Sequence, residues 1–126
     1  MHFYTMLVIG LGGFFGAISR YFVAVKMSTW LGPSFPYGTL TVNAVGSLML
    51  GFLTRFFLDH LIINDLLRIG LLVGFLGAFT TFSTFSYESV TLIQEGNMLK
   101  AAANILSNGI ICISLCLLGL QLAKSF

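Results

Sequence analysis

Ten charged residues divide this 126-residue chain, and between them lie four uncharged stretches long enough to set its fold. The stretches centre on residues 3–19, 37–54, 69–87 and 101–123. Each is near the ~20 residues a helix needs to cross a hydrocarbon core. The sequence therefore predicts an all-α membrane protein, with transmembrane helices at about 3–26, 37–58, 66–93 and 99–124 in one domain over 1–126. Composition agrees: hydrophobic residues make up 57% and charged residues 8%, against the roughly 25% charged of an ordinary soluble domain. Lipid is the expected solvent.

The first apolar stretch begins at Phe3 with no basic residue before it and runs into a Gly-rich segment ending at Arg20, so it is not read as a cleaved signal peptide. A net charge of +2 without a basic cluster points away from nucleic acid and towards ions or small solutes. Cys112 and Cys116 lie four apart in the last stretch and read as small core residues. The connections expected at Lys26–Pro36, Phe56–Asp65 and Ser89–Lys100 are short and leave no room for an extramembrane catalytic domain. Loops of this length join antiparallel neighbours.

Basic residues set orientation by their excess on the cytoplasmic side. Here Arg55, Arg68 and Lys124 share one face, while Arg20, Lys26 and Lys100 share the other. Three stand against three, which favours insertion in both orientations and an antiparallel homodimer resembling an inverted repeat split between two chains. A small bias near the ends deciding one orientation is the alternative. Four helices are also few for enclosing a polar path.

Gly12, Gly16 and Arg20 recur every four residues in the first helix, a spacing for close helix approach that also leaves Arg20 able to snorkel. Thr39, Asn43 and Ser47 form a polar stripe on the second. An amide in hydrocarbon needs partners, so Asn43 faces protein or water; its NH₂ offers donors to an anion, and interhelical bonding alone also accounts for it. Gly74–Glu88 mixes Gly, Phe and hydroxyls. Gly74, Gly77, Thr80 and Thr81 weaken the third helix and predict a break near mid-membrane. Just beyond, Phe82 and Phe85 share a face beside Ser83 and Thr84. The positive edges of phenyl rings, with hydroxyl and amide donors, can hold a small anion without a trapping cation. Aromatic packing between helices is the plainer account. Glu88 fits a water-filled vestibule without a transport role. The fourth helix adds Asn104, Ser107 and Asn108 on one broad face.

With these motifs, GGFFGAISRY at Gly12–Tyr21, GTLTVNAVGSLMLG at Gly38–Gly51 and GFLGAFTTFSTF at Gly74–Phe85, the chain resembles the CrcB/Fluc family of small bacterial fluoride channels along nearly its full length. The resemblance implies a dual-topology homodimer in the bacterial inner membrane, with passive fluoride export lowering cytoplasmic fluoride. It implies an anion pathway of Asn43, Phe82 and Phe85, with Ser83 and Thr84 as further candidates on a polar track. It also implies a structural Na⁺ at the dimer centre, held by the backbone carbonyls of Gly77 and Thr80. Two departures stand out: Ala78 where the motif often has a second Gly, and Asn108 where Ser is expected.

The rival function is a proton-coupled multidrug or guanidinium exporter of similar size. Such exporters use an acid deep in the first helix, and this first helix contains no Asp or Glu. A non-transporting structural subunit is a third reading. An enzyme is not expected, since the membrane segments hold no paired acids, no nucleophile with a base and no metal cluster.

Overall fold

In the computed structural model, which describes residues 2–61 and 63–126, four helical spans cross in sequence. They are α1 (His2–Leu31), α2 (Tyr37–Asp59), a composite third span (Asp65–Gln94) and α6 (Met98–Ala123). The third span consists of α3 (Asp65–Ile69), a π-helical stretch (Gly70–Leu76), α4 (Gly77–Phe79) and α5 (Phe82–Gln94). All four spans are long and apolar enough to cross a membrane.

Local chemistry sets the ends. α1 runs to Leu31 rather than stopping near 26, because nothing in Lys26–Leu31 breaks a helix until Gly32, which takes φ +84° and is followed by Pro33. α3 starts where Asn64 Oδ1 accepts from the Leu66 amide at 2.8 Å. α5 ends at Gln94, and Gly96, with φ +78°, turns the chain just beyond it.

The closest packing joins spans that run the same way rather than the neighbours linked by loops. α1 meets the third span through glycine: a Cβ on Gly12 would strike the Gly70 carbonyl and the Phe75 amide, and one on Gly16 the Phe75 carbonyl. Residue numbers rise together along this contact, so the two spans are parallel. α2 and α6 pair in the same sense, Asn43 against Asn108 and Gly51 against the Cys116 carbonyl. In lipid, where helices gain little by burying apolar surface, such backbone approach is what draws spans together.

The third span breaks at Thr80–Thr81, where ψ of 158° and 109° marks extended backbone. The break thus falls within the run Gly74, Gly77, Thr80 and Thr81 where it was expected, at the Thr pair; Gly74 and Gly77 themselves are helical, and Gly74 makes room for the Ile9 carbonyl of α1.

Candidate functional site

Asn43, on α2, faces the break and replaces the helix's own hydrogen bonds. Its Oδ1 accepts from the Thr81 amide at 2.8 Å and its Nδ2 donates to the Thr81 carbonyl at 3.1 Å. A carboxamide presents the same donor and acceptor as a peptide, so one side chain satisfies both groups of an interrupted residue. Gly46, one turn on, lets α2 pass this close: a Cβ there would collide with the Thr80 methyl.

The break releases particular carbonyls. In an unbroken helix the Thr81 and Thr84 amides would bond to the carbonyls of Gly77 and Thr80. Here the first goes to Asn43, and the second to Thr81 Oγ1 at 3.2 Å, where Thr81 caps α5. The carbonyls of Gly77, Ala78, Phe79 and Thr80 are thus all left without intrahelical partners, and of these residues Gly77 and Thr80 line an open groove of about 540 Å³. Asn43, Thr81, Phe82, Phe85 and Asn108 line the same groove. The Phe82 and Phe85 rings stand 5.4 Å apart at 56°, and Phe82 is 78% exposed in the single chain. Ser83 and Thr84 lie beside the groove, on the cap of α5. Thr81 Oγ1 donates to Thr84 Oγ1 at 2.9 Å, and Ser83 Oγ lies 3.5 Å from Thr81 Oγ1.

The fourth span supplies what the sequence left open. Asn43 Nδ2 also donates to Asn108 Oδ1 at 3.0 Å, so both Asn43 hydrogens already have protein acceptors. Asn108 Nδ2 donates in turn to Asn104, to its carbonyl and to Oδ1, each at 3.0 Å. Asn104 Nδ2 reaches Ser89 Oγ at 2.9 Å. The spacing of Asn104 and Asn108 marks a shared face; their partners on α2 and α5 are not visible in it. Glu88 lines a second cavity, of about 370 Å³, with Tyr37, Thr39, Tyr87 and Glu95. Its Oε1 accepts from Thr39 at 2.7 Å, and its Oε2 is the one buried side-chain polar atom without a partner among the described residues.

These features define a small multi-pass membrane protein whose polar groups converge on a helix break. The chain matches the family described as CrcB-like protein, Camphor Resistance (CrcB), over residues 7–120. A fluoride-specific ion channel FluC of Geobacter metallireducens is 43% identical over 120 residues, covering 95% of this chain and 97% of that one. One of Vibrio campbellii is 48% identical over 114 residues, 90% of each. One of Methylococcus capsulatus is 42% identical over 120 residues, 95% of this chain but 53% of its own length. The chain belongs to the CrcB family.

Proposed function

We propose that this protein is a fluoride channel, not an enzyme, of the bacterial inner membrane. It works as an antiparallel homodimer that lets fluoride leave the cell passively. The observation that carries this reading is identity of 42–48% over nine-tenths or more of the chain to proteins named fluoride-specific ion channels. The groove supports it chemically: phenyl edges and neutral hydroxyl and amide donors weakly hold an anion shedding water.

In this reading Asn43, Phe82 and Phe85 line the path, with Ser83 and Thr84 offering hydroxyls at its side. Asn43 contributes a donor to the ion only by releasing Asn108 or Thr81, so its part is exchange rather than a standing vacancy. A second copy seated on the groove would cover Phe82. The balanced basic residues of the two faces support the antiparallel arrangement. The Methylococcus relative, nearly twice as long, has room for a second unit in one polypeptide.

The released carbonyls of Gly77 and Thr80 fit a Na⁺. Among the described residues no group of three or more His, Cys, Asp or Glu stands together to hold a metal, and hard cations prefer oxygen donors. Such an ion would neutralise carbonyl charge at the break and join the two subunits.

Fluoride efflux from liposomes holding only this protein tests the reading, with chloride as control and with and without a pH gradient. Fluoride-selective flux indifferent to the pH gradient is expected. Flux that requires the gradient supports the exporter, and no flux supports a structural subunit. Phe82→Ile and Phe85→Ile should each cut fluoride efflux by at least roughly tenfold without loss of folding. For topology, a C-terminal tag should be labelled from both sides of the membrane, and labelling from one side only overturns the antiparallel dimer. Reversing the Na⁺ gradient should leave the direction of fluoride flux unchanged; a reversal would make Na⁺ a coupling ion.

A further inference from the structure

The rotation of α5 about its own axis decides where Phe82 and Phe85 aim, yet packing within the chain fixes it weakly. Its buried face consists of Ser89 and Leu92. Phe82, Phe85 and Ser89 fall at intervals of three and four, which on a helix of 3.6 residues per turn is one stripe. Whatever holds Ser89 therefore holds the stripe that carries both rings. A rotation of about 20° moves a group ~5–6 Å from the axis by roughly 2 Å, enough to spoil a contact with a small ion.

The group that holds Ser89 is Asn104, which is 0% exposed and does not line the groove. Its Nδ2 donates to Ser89 Oγ at 2.9 Å, and the Ser89 hydroxyl then donates to the Phe85 carbonyl at 2.8 Å. Its Oδ1 accepts from Asn108 Nδ2 at 3.0 Å, and Asn108 Oδ1 accepts from Asn43, which is paired with Thr81. Asn104 thus joins two branches, one ending at the start of α5 and one a turn and more along it. Only a group with one donor end and one acceptor end serves both, and in lipid no water takes over a lost partner.

We propose that Asn104 is a positioning residue for conduction: it never touches the ion, and through Ser89 it sets the rotation of α5 and so the aim of Phe82 and Phe85. The inference rests on the reading of those rings as the fluoride path. Three full-length variants test it: Ser89→Ala, Asn104→Ala and the double. Each is measured for fluoride efflux from liposomes and by ¹⁹F NMR of 4-fluorophenylalanine placed at position 85, with the same probe at exposed Phe14 as control. Each single variant should lose roughly tenfold in efflux, about what one buried hydrogen bond is worth. Each should also shift the position-85 resonance but not that at 14. The double should be no worse than the poorer single, because both act through one bond. Should Asn104→Ala fail to fold, Ser89→Ala decides alone, since it removes one hydroxyl and leaves a good helix former. Wild-type efflux or an unshifted position-85 resonance in Ser89→Ala, or losses that multiply in the double, overturn the proposal. Normal efflux in Phe85→Ile overturns the pathway reading and this inference with it; blocked Phe85→Ile beside normal Ser89→Ala overturns this inference alone.

Discussion

Up to Phe79 the third span lies against α1 backbone to backbone, whereas from Thr81 onward it hangs from α2 and α6 by side-chain hydrogen bonds, from the amides of Asn43 and Asn104 and the Thr39 hydroxyl. The first half has glycines at the contact and no room for a Cβ at Gly12, Gly16 or Gly74. The second half has few buried side chains and an exposed aromatic at its start. Glycine contact is stiff, because turning either helix would bring a side chain into the seam. Amide bonds also fix an azimuth but are weaker, and the half that presents the candidate ion-binding groups is the one held that way.

The largest break in this comparison should come from Gly16→Val, which drives a side chain into the Phe75 carbonyl. Backbone cannot yield as a side chain tip does, and a loss of about 3 kcal/mol or more is expected, read as collapse of folded yield in detergent. Asn43→Leu should come next, at roughly 2–4 kcal/mol, because it leaves the Thr81 amide and carbonyl and Asn108 Oδ1 without partners. Its unfolding curve and its fluoride efflux should both fall. A wild-type unfolding midpoint would show that the amides are not what holds the second half.

Thr81→Val, which keeps the shape and removes the cap on the Thr84 amide, should cost ~1 kcal/mol, and Thr81→Ser should restore it. The smallest effect belongs to Gly13→Ala. A Cβ there meets nothing nearer than the Gly74 carbonyl at 3.8 Å, so the variant should be neutral or stabilised by up to ~1 kcal/mol through helix propensity. Destabilisation of Gly13→Ala comparable to that of Gly16→Val would show that the whole α1 face, not only Gly12 and Gly16, is closed.

Much of the site was legible in residue order. Asn43 had to find partners in hydrocarbon, and Phe82, Phe85, Gly77 and Thr80 fall in one run of the sequence. Which residue made the break was not legible. Gly74 and Gly77 have the poorer helix propensity, but propensity is a local quantity, and the break lies where a side chain from another span captures the Thr81 amide. Asn104 and Ser89 look like ordinary interior polar residues until α5 and α6 are placed together.

By itself the sequence determined the solvent, the number of spans and their approximate limits. A charge in hydrocarbon is costly wherever the chain goes, so ten charges spaced around four long gaps admit few arrangements. The tertiary structure alone decided that spans of like direction pack together, that the break falls at Thr80–Thr81, and that an asparagine relay ties its far side to α2 and α6. Those outcomes depend on which donor meets which acceptor across helices distant in sequence, and hydrogen bonds in lipid must be closed by whatever group the fold brings within about 3 Å.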